Sequence, residues 1–306
     1  KGALNILYEK HWGLKLIKSN IKYLLKKIIN SLGYSIKYNI NVIGNTHNLN
    51  IVNPLSLLYN IPAHASLSLM VPLEKVRSWG GRKLTKDLNP FIAVIEEYTQ
   101  FGANKYAGSA LERAAKKLEA KNAAEALGLS SILAPGFVDI EPSLAIFPWE
   151  LSEQFGTFES RIHTLRCELS RYVNSSDKLM LENSAVRGQA EISRILNIYG
   201  SILKNGYKED LQGYEPIKGE LLLGDDFEWV VLIRQGEHRA AALAATGANL
   251  VPITLTRKQI IRSADSMFWA QVTDKNITHK GALDVFNRIM VGDNDASLVN
   301  VKGYFI

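Results

Sequence analysis

The residues best suited to chemistry are Gly236-Glu237-His238-Arg239, which closely follow an apolar run at 229–233. Glycine lets the backbone approach a ligand closely, and the first turn of a helix offers N–H groups and a positive dipole end to an anion. Arg239 can add a planar bidentate contact to a phosphate, and His238 a second donor. Glu237 is a carboxylate beside that anion and can act as an acid, a base or a metal ligand. The pattern predicts an anion site at 236–239; the alternative is ordinary first-turn charges on a strand and helix.

A strand before these residues and a helix after them must hold the turn in place. Apolar runs and turn residues predict a hairpin of strands at 215–223 and 228–234, joined by Gly224-Asp225-Asp226. A helix follows that ends at Gly247, and then a strand at 250–256. Small side chains let this helix pack closely on the sheet: Ala240, Ala241, Ala242, Ala244 and Ala245.

Further elements are predicted on both sides of this unit. Helices are predicted at 14–36, 89–102, 109–121, 122–129, 158–173, 190–207, 262–272 and 278–290. Short strands are predicted at 39–44 and 67–72, and the proline-rich stretch 134–150 is predicted to be an extended connector. The expected division is a basic helix at 1–40, a mostly helical region at 41–150, a ligand-binding domain at 151–262 and a helical extension at 263–306.

Several kinds of site lack their central motif in this sequence. It contains no GxGxxG, GxxxxGK[ST] or GxSxG, which argues against dinucleotide, P-loop and hydrolase-elbow sites. The six histidines form no HxxxH or HExxH pair, and a single cysteine, Cys167, allows no intramolecular disulfide and suits a reducing compartment. No apolar run approaches the ~20 residues of a membrane span.

The positive charge of the chain is concentrated at its N-terminal end. Residues 1–40 carry a formal charge of +7, whereas the remainder carries −1. Apolar residues recur at three- and four-residue steps through 14–32, with lysines on the opposite side. This helix suits an anionic membrane surface, or alternatively packs on its own domain with solvated lysines. The near-neutral body argues against wrapping on duplex DNA, which favours a basic face.

A set of short motifs in fixed order resembles the ParB/sulfiredoxin superfamily over residues 180–256, about a quarter of the chain. The motifs are Gly206, Pro216-Ile217, Gly236-Glu237-His238-Arg239, Ala242-Leu243, Gly247 and Val251-Pro252-Ile253. The resemblance implies an α+β domain with a small mixed sheet and flanking helices, beside a largely helical N-terminal region. It also implies that Gly236, Glu237, His238 and Arg239 hold the phosphates of a nucleotide, as ParB holds CTP and sulfiredoxin holds ATP.

Departures from the family pattern narrow the expected activity. Glu237 stands where sulfiredoxin has its catalytic cysteine, which excludes sulfiredoxin chemistry. The segment TRKQIIRSADSMFW lacks the E-N-x-x-R-x-D motif of ParB, which argues against CTP clamping and centromere binding. A ParB-like free serine kinase uses carboxylates upstream of the turn, a role that Glu182 or Glu191 could fill, and Arg187 lies where the superfamily often has an arginine near the nucleotide.

The resemblance therefore implies a protein that binds a nucleoside triphosphate, ATP or CTP, with Mg²⁺. If it is an enzyme, it is expected to be a nucleotide hydrolase or a small-molecule kinase, with Glu237, Glu191 or Glu182 as the catalytic carboxylate. The basic start followed by LGYSIKY resembles bacterial surface-glycan biosynthesis proteins, which suggests a cytoplasmic location at the inner membrane face. The alternatives are a DNA-associated ParB-like module without catalysis and a scaffold whose site has decayed.

Overall fold

The computed structural model describes residues 66–116, 120–151, 169–173, 183–207, 215–256 and 260–292. The predicted helix at 14–36, the strand at 39–44, most of the helix at 158–173 and the candidate carboxylate Glu182 lie outside the described residues.

The described residues combine helices with a mixed six-stranded sheet, an α+β fold. The strands are β1 Ser66–Pro72, β2 Val76–Arg77, β3 Lys218–Leu223, β4 Trp229–Gln235, β5 Leu250–Thr256 and β6 Ile260–Arg262. The α-helices are α1 Pro90–Phe101, α2 Ala110–Lys116, α3 Ala123–Ala126, α4 Ser184–Asn205, α5 Glu237–Ala245, α6 Ala270–Thr273 and α7 His279–Val291. Short 3-10 turns lie at Leu73–Lys75, Pro135–Phe137, Pro142–Leu144 and Ser263–Phe268.

The sheet places the hairpin of β3 and β4 at its centre. The strand order is β1-β5-β3-β4-β2, and β6 also pairs with β3. The β1–β5 and β3–β4 pairs are antiparallel, whereas β2 runs parallel to β4, and β5 and β6 run parallel to β3. Strands from both sides of residue 150, where the sequence predicts a domain boundary, therefore share one sheet.

Helices and loops cover the two faces of the sheet because the apolar side chains of β4 alternate between them. Val231 and Ile233 lie in a core with α1, α4 and α5, which we call the first face. Val230 and Leu232 lie on the second face, in a core with residues 123–147 and α7. The stretch 134–150, predicted to be an extended connector, instead forms two 3-10 turns and buries Phe147 completely in this second core.

Several predicted helix ends agree with the structure. The Asn89 side chain caps α1, which ends at Gly102 in the left-handed conformation, and Asn122 caps α3. The Thr278 side chain caps α7 by accepting a hydrogen bond from the Gly281 N–H. The helix predicted at 262–272 is interrupted, because Trp269 is extended and buried in the second core between the 3-10 turn and α6.

Candidate functional site

The turn between β4 and α5 is built on a glycine in the left-handed conformation. Gly236 has φ 88° and stands at the N-cap of α5, whose first backbone hydrogen bond runs from the Ala240 N–H to the Gly236 carbonyl (3.0 Å). The earlier N–H groups of α5 point out of its N-terminal end. A Cβ at position 236 would lie 2.9 Å from Nη2 of Arg239 and 3.1 Å from Cγ1 of Ile217. The turn thus combines a helix N-terminus with a guanidinium that lies close to Gly236.

We expect Gly236→Ala to lower the free energy of unfolding by about 2–3 kcal/mol, because it adds a side chain to a left-handed residue and crowds Ile217 and Arg239. Gly247 is the matched control: its φ is 81°, but a Cβ there would meet nothing within 4 Å. Gly247→Ala is therefore expected to cost only the conformational strain, about 1 kcal/mol. Urea unfolding of both variants measures the difference, and equal losses would show that the turn is not tightly packed.

Arg239 lies in a small charged cluster next to the turn. Lys218 Nζ donates to Glu215 Oε2 at 3.1 Å, and Gln235 Nε2 donates to the same oxygen. These two hydrogen bonds, with the nearby charges of Lys218 and Arg239, hold the pKa of the Glu215 carboxyl below its usual value. Two cations, Lys218 and Arg239, therefore lie near the N-terminal end of α5, and the sequence pattern predicted only Arg239.

The imidazole of His238 faces the core and not the N-terminal end of α5. His238 is 4% exposed, its Nε2 lies 2.6 Å from Oε2 of Glu191 on α4, and its ring lies 4.3 Å from that of Phe91. Helix α5 packs its small alanines against α4 and α1, so the larger side chain at 238 fills the space between the helices. The sequence predicted an imidazole donor at the start of α5, whereas the His238 ring lies in the core and is hydrogen-bonded to Glu191.

Glu191 is a buried carboxylate with cationic neighbours. It is 3% exposed, and Nη1 of Arg194 lies 3.7 Å from its Oε1. Burial favours the neutral acid, but the charge and hydrogen bond of His238 and the charge of Arg194 hold the pKa of Glu191 below its ordinary value. Glu191 therefore stays ionised and pairs with His238.

Glu237 turns toward the loop that follows β2. Its Oε1 lies 3.5 Å from Nδ2 of Asn89, and its carboxylate also accepts the backbone N–H of Trp79. Burial raises the pKa of Glu237 to about 7, helped by the Glu191 charge and opposed by these hydrogen bonds and the Arg82 charge. A carboxyl group with this pKa exchanges a proton near neutral pH, which suits an acid or base.

Asn89 joins the starts of two helices. Its side-chain oxygen accepts the N–H groups of Phe91 (3.0 Å) and Ile92 (3.2 Å), and its amide nitrogen faces Glu237. The Asn-Pro pair at 89–90 predicted a helix start, but nothing local indicated a contact with a residue 148 positions away. The sequence did not indicate that Trp79 and Arg82 lie near Glu237 either, because they too are far from it along the chain.

The structure brings together five of the predicted site residues: Gly236, Glu237, His238, Arg239 and Glu191. Arg187 lies on α4 near Tyr106, where its charge opposes the rise in pKa that burial gives the tyrosine. Arg187 therefore lies near the loop before α2, and its predicted role near the nucleotide stays a prediction.

The donors at the turn fit a phosphate better than they fit a bare metal ion. Among the described residues, no group of three or more His, Cys, Asp or Glu side chains is placed to hold a metal. A magnesium ion held there would take most of its ligands from phosphate oxygens and water. Three grooves elsewhere on the described surface, the largest about 690 Å³, are lined by other residues.

No protein-family model matches the chain, and no significant match was found among curated proteins or solved structures. Within the described ranges, no helix combines the length and apolar character needed to cross a bilayer.

Proposed function

We propose that the turn at 236–239 binds the phosphates of a nucleotide or another phosphorylated ligand, in a domain of the ParB/sulfiredoxin kind. The observation that carries the proposal is the position of the Arg239 guanidinium over a left-handed Gly236 at the start of α5. A guanidinium and the N–H groups of a helix start both favour phosphate oxygens. Lys218, which is paired with Glu215 on the same side, is a second cation of this cluster.

A phosphotransferase or nucleotide hydrolase is the activity that best suits the nearby carboxylates. Glu237, whose pKa burial raises to about 7, can take up or release the proton of an attacking hydroxyl or water. Glu191 is paired with His238 in the core, which suits it to positioning α5 and not to contact with substrate. Bound Mg²⁺ would supply charge neutralisation between the phosphates. A nucleotide-sugar or glycan precursor, used at the inner membrane face, is the ligand that fits the resemblance of the N-terminal segment to surface-glycan biosynthesis proteins.

A thermal-shift screen of the full chain with ATP, ADP, CTP, GTP and nucleotide-sugars, each with Mg²⁺, tests the proposed ligand class. A ligand at about 100 times its Kd should stabilise the protein by about 2.7 kcal/mol. Phosphate or diphosphate release from the best ligand then distinguishes an enzyme from a binding protein. Absence of stabilisation by every nucleotide and by inorganic phosphate would contradict the proposal.

A DNA-associated module is the alternative class, and salt dependence distinguishes it. Binding to duplex DNA through several phosphate contacts should weaken by about 10³-fold or more between 50 and 200 mM salt. Strong binding to duplex DNA at low salt in a gel-shift assay, together with no thermal stabilisation by free nucleotides, would favour the alternative.

We also propose that the basic N-terminal segment binds an anionic membrane surface. Deletion of residues 1–37 changes the formal net charge from +6 to −1. Each lysine near an acidic leaflet contributes about 1 kcal/mol, so the full chain should sediment with anionic vesicles at low salt and the truncated chain should not. Nucleotide binding should survive the deletion. A full chain that does not sediment with anionic vesicles at low salt would contradict the membrane role.

A further inference from the structure

A buried charged cluster lies on the second face of the sheet, two residues before the turn. Arg234 is near the end of β4, and the centre of its guanidinium lies 5.5 Å from the ring of Trp79 and 5.3 Å from the ring of Phe147. Only 13% of the Arg234 side chain is exposed. Both aromatic rings are therefore within the range at which a guanidinium is attracted to a π face.

Two carboxylates fix the in-plane orientation of this guanidinium. Its Nη2 pairs with Oε1 of Glu150, and its Nε lies 3.5 Å from Oε1 of Glu220. Each carboxylate is itself held, Glu150 by the Phe147 N–H (2.7 Å) and Glu220 by Nε1 of Trp149 (3.1 Å). Burial lowers the pKa of Arg234 to about 10, so it remains charged at neutral pH. Because buried ion pairs contribute little net stability, this set of contacts suits a role in orienting neighbouring residues.

Trp79 connects this cluster to the candidate site. It lies in a tight turn in which the Ser78 N–H donates to the Arg82 carbonyl (2.7 Å) and the Gly81 N–H to the Ser78 carbonyl (2.8 Å). The indole of Trp79 faces Arg234 on the second face, while its backbone N–H donates to the Glu237 carboxylate. One residue thus contacts the cluster through its ring and the site through its backbone.

We propose that Arg234 is a positioning residue for Glu237, acting through Trp79: the guanidinium holds the indole, and the indole fixes the backbone N–H that binds the Glu237 carboxylate. The inference bears on the proposed function because Glu237 is the acid or base assigned there, but the contacts that carry it involve no ligand. Asn89 and the Trp79 N–H are hydrogen-bonded to Glu237, and the charges of Glu191 and Arg82 also act on it.

Substitution by lysine separates orientation from charge, since lysine keeps the positive charge of Arg234 but lacks its planar face. Loss of a hydrogen bond to the ionised carboxylate disfavours the charged form, so Arg234→Lys should raise the pKa of Glu237 by about one unit. If Arg234 acted through its charge alone, Arg234→Lys would leave this pKa at the wild-type value. The matched control is Arg288→Lys, because Arg288 donates to the carbonyls of Leu127 and Gly128 and to neither Trp79 nor Glu237 in the described contacts.

The test is a pH titration of the full chain, without ligand, followed by the carboxyl carbon signals of ¹³C-labelled glutamate. The Glu237 signal is identified by its loss in Glu237→Gln. We expect an upward shift in Arg234→Lys and none in Arg288→Lys. Trp79→Leu provides a second route if Arg234→Lys does not fold, because it removes the ring and keeps the N–H, and the same upward shift is expected.

A wild-type Glu237 pKa in a folded Arg234→Lys or Trp79→Leu variant would overturn the positioning role. Failure of the chain to bind any nucleotide would leave this titration unchanged, so the two proposals fail separately.

Discussion

His238→Ala is expected to lower the free energy of unfolding by about 3–5 kcal/mol at pH 7, the usual cost of removing one partner of a buried ion pair. The charge that remains is Glu191, 3% exposed and 2.6 Å from His238 in the wild type. The double variant Glu191→Gln/His238→Ala is the matched control, because it removes the charge as well. It should be more stable than His238→Ala alone, and urea unfolding of both variants measures the difference.

The pH dependence of this loss has a definite sign. The pKa of Glu191 is lowered from its ordinary 4.5 in the folded protein, so its contribution to stability is present above pH 4.5 and is lost as the pH falls through the lower folded value. The His238→Ala penalty should therefore shrink in acid, where Glu191 is neutral in the variant. A penalty that is the same at acidic and neutral pH would mean that the loss is only that of packing against Phe91.

Glu237→Gln is expected to stabilise the protein at and above neutral pH. Unfolded Glu237 loses its proton near pH 4.5, and folded Glu237 near pH 7, so the folded state holds more protons between these values and wild-type stability falls as the pH rises. The gain from the substitution should be near zero below pH 4.5 and reach about 3 kcal/mol above pH 7. Denaturant unfolding across this range measures the difference, and a loss at every pH would mean that the carboxylate is needed for its bonds to Asn89 and Trp79.

The same variant separates an enzyme from a binding protein. A bound phosphate repels an ionised Glu237, so Glu237→Gln should keep or tighten nucleotide binding, and wild-type binding should take up protons near pH 7. If Glu237 transfers a proton in the reaction, turnover should fall by about 10²-fold or more. Calorimetry in buffers of different ionisation heat measures the proton uptake, and phosphate release measures turnover.

The elements next to the candidate site could be predicted from local sequence. The hairpin of β3 and β4, the glycine before α5 and the strand β5 each follow from turn residues and apolar runs of fewer than ten residues. The helix caps at Asn89, Asn122 and Thr278 could also be predicted, because a capping side chain bonds to backbone N–H groups within three residues of itself.

Long-range contacts determine the features that local patterns missed. The Ser68 and Thr254 side chains of β1 and β5 meet across 186 residues, so the first strands join a sheet that the sequence placed after residue 150. The orientation of His238 likewise depends on Glu191, 47 residues earlier on α4. A polar side chain in the first turn of a helix can point toward solvent or toward the core. The packing of α4 and α1 against α5 determines that His238 points toward the core.

The central claim, that the turn at 236–239 binds phosphate, is tested most directly by calorimetry of wild type, Arg239→Ala and Arg262→Ala with the best nucleotide from the thermal-shift screen. Arg262 is the matched control, a half-exposed arginine that pairs with Asp265 at 3.8 Å. We predict that Arg239→Ala weakens binding by about 1.5–3 kcal/mol with the fold intact, and that Arg262→Ala binds like wild type. Equal affinity in wild type and folded Arg239→Ala would contradict the claim.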